Sequence, residues 1–267
     1  MIERFRYHAF TTGVSGHITL PFDEIIPVQA SIALPESGGF GTANAGRFSF
    51  RDILSFESAQ AVVAGSFSPK DNSFDAIGTV TITNLNILGM VTADRIVARI
   101  ASSHPQDPSQ GHSITPLGSY FVNLRIAGHL IDLDLATDTF NRFDNATKVR
   151  KAYEENENGF RDEFDRLTLS GRNDVPDHLS KFFPCLRKQP FSEPVTACSL
   201  VREIGGLPRE LCPVGHVIRV PGFGIVRLAE FLITDSERSI TMLQVDLGST
   251  PAGKGSVGGA AGNGSGY

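Results

Sequence analysis

Two histidines are the first residues in this sequence whose spacing suggests chemistry. His104 and His112 flank the segment from Pro105 to Gly111, which could bring both imidazoles to one metal ion. Histidines in surface loops are commoner than metal ligands, so we assign no metal site to the pair. The other histidines have neither the His-x-x-x-His nor the His-Glu-x-x-His spacing: His8, His17, His129, His178 and His216.

Carboxylates form a second candidate cluster. Asp132 and Asp134 share one face of a predicted strand, and with Asp138 they could bind a hard cation. The same residues also give an antiparallel strand its polar outer face. We favour that second interpretation, in which the three aspartates are solvated.

The segment from Glu154 to Asp165 has a faint likeness to a calcium loop. Oxygen-bearing side chains alternate through Glu154, Asn156 and Asn158, and Gly159 stands at the sixth place. Glu154 replaces the expected aspartate, and Asp165 replaces the bidentate glutamate. A solvated, charged helix is therefore the favoured interpretation. Asp162, Glu163 and Asp165 are also the carboxylates that an enzyme site beside this helix would use.

Several kinds of chemistry have no signature here. The sequence has neither a Gly-x-Ser-x-Gly elbow nor a Gly-x-x-x-x-Gly-Lys phosphate loop. The net charge of −5 argues against a nucleic-acid partner, which needs a basic face. The three cysteines are Cys185, Cys198 and Cys212, and an odd number gives no disulfide framework. A single bridge, for example between Cys185 and Cys198, stays an open alternative. We assign no catalytic, cofactor-binding or metal-ligating residue, and we predict that the protein is not an enzyme.

The elements that would position these residues are mostly strands. Short apolar runs alternate with Gly- and Pro-containing turns, which predicts an antiparallel β-sandwich or jelly-roll. Residues 1–138 form its first part and 213–248 its completing strands. The pattern of residues 139–212, which lie between these two parts, predicts a helical, Pro-rich insertion. Its helices are predicted over Lys148 to Leu167 and over Pro194 to Ile204. Residues 249–267, rich in Gly and Ser, are predicted to be a flexible tail.

Two patterns within the first part are regular. Val80 and Ile82 share one strand phase while Leu85 and Ile87 share the other, which predicts a β-bulge near Thr83. The second pattern is a repeat, Asn-Leu-x-Ile-x-Gly, at residues 84–89 and 123–128. In each copy two apolar residues should enter the core and the glycine should end the strand.

Four stretches together resemble a bacterial family of choice-of-anchor surface proteins, the P subgroup. They are residues 91–98, the repeat at 123–128, the Pro-Gly-x-Gly segment within 218–226, and 239–245. In that family similar strands occur in the same order. The resemblance implies a secreted β protein held at a cell surface, whose strands are here separated by the insertion.

These observations favour a non-enzymatic structural or interaction protein that self-assembles or sits at a surface. Its partner would be protein, and we expect copies of itself. A carbohydrate- or metal-binding module is the alternative, and an enzyme with a site between insertion and sandwich is the third hypothesis. The residues from Met1 to Arg6 are no signal peptide, and no apolar stretch reaches the about 20 residues of a membrane span. The sequence as written predicts a cytoplasmic protein, or an extracellular or cell-surface protein if a leader was removed.

Overall fold

The computed structural model describes residues 5–107, 109, 111–169, 175, 191, 195–208, 210–211, 213–248 and 252–265. Most of these residues form antiparallel strands, which confirms the predicted mainly β class. In chain order the strands are β1 (Arg6–Leu20), β2 (Glu24–Ala33), β3 (Gly39–Ala45), β4 (Phe48–Phe50), β5 (Leu54–Phe56), β6 (Ser58–Ser68), β7 (Ser73–Ile87), β8 (Val91–Pro105), β9 (Ser113–Thr115), β10 (Tyr120–Val122), β11 (Arg125–Ile126), β12 (His129–Leu130), β13 (Asp132–Leu135), β14 (Thr196–Ser199), β15 (Val201–Gly205), β16 (Pro213–Val214), β17 (Val217–Val220), β18 (Gly224–Ile233), β19 (Arg238–Gly248) and β20 (Ala252–Ser265).

The strands form two large sheets that pack face to face. The first sheet runs in the order β16-β17-β18-β19-β20-β1-β2, and β14 also pairs with β18. In the second sheet β8 and β7 are central, with β5 and β4 continuing from β7 and β11 and β12 from β8. In that sheet β6 also pairs with β7, β3 pairs with β6, and β9 and β10 pair with β8. The main contacts between the sheets run from β1, β2, β19 and β20 to β3, β6, β7 and β8.

The C-terminal segment corrects one prediction. Residues 252–265 do not form a flexible tail, because β20 pairs with β1 on one side and with β19 on the other. Neighbours on both sides satisfy its backbone hydrogen-bonding groups, which compensates for its few apolar side chains. Its small residues also let the sheets approach closely. A Cβ at Gly262 would lie 3.2 Å from Cγ2 of Ile100 in the second sheet.

The insertion packs against the first sheet and the β9 segment. Its helices are α1 (Thr137–Arg142), α2 (Ala146–Glu155) and α3 (Phe160–Thr168), with a 3₁₀ turn over Glu157–Gly159. The charged stretch predicted as helical is therefore confirmed, with a break between α2 and α3. The helix predicted over Pro194 to Ile204 is wrong: β14 pairs with β18 there, and β15 pairs with β13.

The change of strand phase near Thr83 is confirmed, but its cause differs from the predicted bulge. The β7–β8 register stays constant, from Thr83 opposite Arg95 to Leu85 opposite Ala93. Both strands change phase at the same place, where Asn84 has a left-handed φ of 51°. A single bulged strand would have shifted the register, so the kink is shared by the pair.

The Asn-Leu-x-Ile-x-Gly repeat has one backbone shape in both copies. Asn84 and Asn123 each have φ 51°, and each copy ends in two successive residues of positive φ. The leucine and isoleucine of both copies are buried, as predicted. In the second copy the turn joins β11 to β12, with Ile126 opposite His129. The repeated sequence therefore encodes a repeated kink and turn.

Candidate functional site

The outward side of the second sheet is a broad surface built by its longest strands. Inward residues such as Val80, Ile82 and Ile100 are buried, so the alternate residues point outward. Strand register aligns these outward residues across six strands, β3, β6, β7 and β8, with β9 and β10 both beside β8. We call the set the outer face: Phe40, Thr42, Asn44, Ser58, Gln60, Val62, Ala64, Ser66, Asp75, Ile77, Thr79, Thr81, Thr83, Arg95, Val97, Arg99, Ala101, Ser103, Ser113, Thr115, Tyr120 and Val122.

The outer face carries few charges. Hydroxyl-bearing and aliphatic residues dominate, and its charged members are Asp75, Arg95 and Arg99. Two aromatic side chains stand on opposite sides of it, where Phe40 is 69% exposed and Tyr120 is 41% exposed. Single apolar side chains are exposed elsewhere too, so what distinguishes this face is the contiguous apolar patch that Val62, Ala64, Ile77 and Ala101 form by their register.

A shallow depression of about 420 Å³ lies within the outer face. Its floor contains Ala64, Ile77 and Ala101, and hydroxyl groups surround the floor. The carboxylate of Asp75 lines one side and accepts a hydrogen bond of 2.9 Å from the hydroxyl of Ser73. An apolar floor with hydroxyls and one carboxylate can bind polyhydroxy compounds or the polar groups of a protein surface.

The structure brings His104 and His112 together, as their flanking positions suggested. Their rings stack nearly parallel, with centroids 5.3 Å apart, and Phe5 lies 5.3 Å from His104. Burial, followed by the charge of His112, lowers the pKa of His104 to about 4. Burial and then the charge of Arg238 also lower the pKa of His112. Stacked rings within an aromatic cluster are a packing arrangement, and the described residues contain no group of three or more potential metal ligands.

Arg202 sits among the carboxylates that the sequence singled out. Its guanidinium pairs with Asp134 at 3.0 Å, with Asp138 at 2.7 Å and with Glu163 at 2.9 Å. Burial acts to raise the pKa of Asp138, but the hydrogen bond and charge of Arg202 lower it overall. The cation in this cluster is thus an arginine, which joins β15 to α1 and α3. Asp132 is exposed and has no part in it.

Of the other two carboxylates considered for an enzyme site, Asp162 is exposed and Asp165 is engaged in an internal contact. Asp165 accepts a hydrogen bond of 2.9 Å from the Tyr153 hydroxyl, and burial followed by that bond raises the pKa of Tyr153 to about 12. A depression of about 380 Å³ lies beside Glu163 and Arg202, bordered by α1 and α3. Its polar groups belong largely to the ion-pair cluster around Arg202.

The segment that resembled a calcium loop is a helix junction. Asn156 caps the end of α2 in the left-handed conformation, and its side chain accepts a hydrogen bond from the backbone of Arg161. The Arg161 guanidinium in turn donates to the carbonyls of Tyr153 and Glu154. A positively charged side chain therefore occupies the place where a calcium loop would direct oxygens to an ion.

Sequence reasoning missed a buried arginine. Arg238 is 1% exposed and donates to the carbonyls of Ile114, Phe140 and Phe143 at 2.6, 3.3 and 2.8 Å. Burial lowers its pKa to about 10. It joins β19 to the β9 segment and to α1, so it fixes the insertion on the sandwich. The available signal was its phase in β19, which it shares with the inward-facing Ile240 and Met242.

A second missed cluster lies on the first sheet. Arg227 pairs with Glu230 at 3.1 Å and with Asp246 at 3.3 Å, and His216 lies 3.6 Å from Glu230. Burial acts to raise the pKa of Glu230, but His216 and Arg227 lower it overall. No sequence spacing pointed to this cluster, because its members come from three separate strands or turns.

Of the three cysteines, Cys198 is the one that lies among the described residues. Cys198 is buried in β14, and its sulfur lies 3.3 Å from the carbonyl oxygen of Phe231. Cys185 and Cys212 lie outside the described residues. A bridge between Cys185 and Cys198 therefore stays a prediction.

Comparison with known proteins gives a family but no activity. A model described as a domain of unknown function (DUF8256) matches residues 5–234. No curated protein and no solved structure matches the chain significantly. None of the helices in the described part is long and apolar enough to cross a membrane.

Proposed function

The chain belongs to the DUF8256 family, and we propose that it is a non-enzymatic interaction protein that binds through the outer face. The partner is a copy of itself or a component of a cell surface. The observation that carries this proposal is the breadth of the outer face, with Phe40 and Tyr120 exposed and three charged residues. A contiguous apolar patch on an exposed sheet face is typical of surfaces that contact other molecules.

The outermost strand β2 supports contact through a face rather than through a sheet edge. Pro27 in β2 has no backbone donor, and the β1–β2 register shifts between Val14 and Gly16. Prolines and bulges of this kind discourage strand addition at an edge. The surface-associated form of the proposal rests on the resemblance to the choice-of-anchor proteins.

A glycan is the second candidate partner, favoured by the depression in the outer face. Hydroxyls of Ser66, Ser103, Ser113 and Thr115 surround its apolar floor, and such groups can exchange hydrogen bonds with sugar hydroxyls. A glycan array tests it directly. Binding that Ser103→Val abolishes would favour this candidate, and an array without any signal would remove it.

Self-association of the full chain tests the first proposal. Sedimentation velocity from low to several hundred micromolar should show a concentration-dependent dimer or larger assembly. Ile77→Glu places a charge in the apolar floor of the depression in the outer face and should abolish that assembly. Ile25→Glu is the matched control, because Ile25 is 74% exposed on β2 in the other sheet. Assembly that survives Ile77→Glu and disappears with Ile25→Glu would refute the outer face as the contact.

A further inference from the structure

We propose, resting on the function above, that the outer face forms a two-fold contact between two copies of this chain, with Asp75 of each copy paired to Arg99 of the other. A two-fold contact makes each interaction twice with the roles exchanged, so it requires a self-complementary surface. Asp75 and Arg99 are opposite charges on one face. Among the described residues, neither has an ion-pair partner within its own chain.

Strand register gives the relative position of the two charges. Thr79 lies opposite Arg99, so Asp75 stands two outward positions further along β7 and one strand across. That separation is roughly 14 Å, from about 6.6 Å per outward position and about 4.8 Å between strands. Salt screens exposed charges at this distance, so the two contribute little to each other within one chain.

A two-fold axis midway between the charges passes through the apolar part of the face. Ile77 and Ala101 occupy the row between Asp75 and Arg99, so they would lie at the axis. Rotation about an axis in the plane of the face, running nearly across the strands, places each Asp75 over the Arg99 of the second copy. The strands of the two copies then cross at roughly 40°, close to the about 30° found when sheets pack face to face.

The strand register sets the size of the contact. With the axis on the row of Ile77 and Ala101, that row and the row on each side of it overlap between the two copies. These three rows cover roughly 400 Å² per copy, or about 800 Å² in total. A contact of this size is at the low end of specific interfaces, so we expect a weak dimer that forms at high protein concentration. Ala64, Ile77 and Ala101 lie along the axis and give the contact an apolar centre, and serines such as Ser66 and Ser103 lie in the row beside it.

Charge reversal tests the pairing in the full chain. Asp75→Arg and Arg99→Asp each create two like-charge contacts, and each should weaken the dimer at least about tenfold in Kd. An equimolar mixture of the two variants should form a heterodimer, because both pairs are then opposite in charge. The double variant should again form a homodimer. Arg125→Asp, an exposed charge on β11 outside the outer face, should leave the Kd unchanged.

Sedimentation velocity and thermal unfolding of every variant separate the outcomes. Heterodimer formation by the mixture, with each variant folded, supports the Asp75–Arg99 pairing. A dimer that Ile77→Glu abolishes but charge reversal leaves unchanged overturns this pairing and leaves the proposed function standing. A chain that stays monomeric at every concentration overturns both the pairing and self-assembly.

Discussion

The ordered packing of β20 can be tested with two substitutions in one strand. Gly262 faces the second sheet, where a Cβ would lie 3.2 Å from Cγ2 of Ile100. Gly259 has more room, since the nearest atoms to its Cβ are the carbonyl oxygens of Thr12 and Ile240 at 3.8 and 3.9 Å. Neither glycine has a positive φ, so valine meets no backbone strain at either position. The two variants, Gly262→Val and Gly259→Val, therefore differ mainly in the space around the new side chain.

The geometry gives the expected magnitudes. At Gly262 the Cβ already makes a tight contact, and two further methyl groups must displace Ile100 or separate the sheets. Overpacking of this kind costs about 1–3 kcal/mol. Replacing glycine in a strand stabilises both variants by about 0.5–1 kcal/mol, because glycine loses more conformational freedom on folding than other residues. We expect Gly262→Val to be destabilised by about 1–2 kcal/mol and Gly259→Val to be neutral or stabilised by up to about 1 kcal/mol.

Urea unfolding followed by circular dichroism measures both free energies, and the comparison between variants removes their shared terms. The two midpoints of thermal unfolding should differ by roughly 4–10 °C for a chain of this size. Equal stabilities in both variants and the wild type would refute the reasoning, because that result is expected of an unpaired tail. A destabilised Gly259→Val with a normal Gly262→Val would indicate that β20 faces the opposite way.

Three further perturbations address the polar groups. Arg238→Met should lower the free energy of unfolding by about 2–4 kcal/mol in urea, because three buried carbonyls lose their donor; wild-type stability would contradict this. Burial lowers the pKa of His104 to about 4, so the stability linked to its neutral ring is complete above pH 6.5 and is lost as the pH falls toward 4. Since the ring is partly exposed, we expect a loss of about 1–2 kcal/mol, which His104→Phe should remove and the exposed control His129→Phe should retain. Arg202→Met should cost about 1 kcal/mol or less, because Asp134 and Asp138 are mostly exposed, and the cost should shrink at high salt; a loss that salt leaves unchanged would contradict a surface ion-pair role.

Local sequence patterns predicted the strands well where side chains determine burial. The phase change around Thr83 and the repeat at 84–89 and 123–128 could be predicted, because leucine and isoleucine mark the positions that face the core. The strand β20 could not be predicted, because its ordered structure comes from pairing with β1 and β19. Those partners are distant in sequence, and no pattern within residues 252–265 indicates them.

The candidate site was harder to predict than the fold for a similar reason. His104 and His112 were singled out by their spacing and do meet, but the aromatic neighbours that turn the pair into a packing cluster come from other strands. Asp134 and Asp138 were considered as ligands of a hard cation and interpreted as solvated, but both pair with Arg202, far along the chain. The outer face has no local signature either. Serine, threonine and alanine in alternate positions are typical of ordinary solvated strands. The shared surface becomes apparent only when the register places up to five strands side by side.

The insertion explains why the two sheets differ in their outer surfaces. Val217 points outward from the first sheet yet is fully buried, because Leu169 after α3 and Val175 pack on it. The acidic and basic residues beside it, Arg227 and Asp246, are consequently paired at low exposure. On the outer face of the second sheet Phe40 and Tyr120 remain exposed. The β1–β2 end of the first sheet is uncovered as well, with Phe10, Ile25 and Val28 more than half exposed. We propose the outer face as the contact surface because it also has the depression with an apolar floor and opposite charges beside it, and Ile25→Glu tests the β1–β2 end directly.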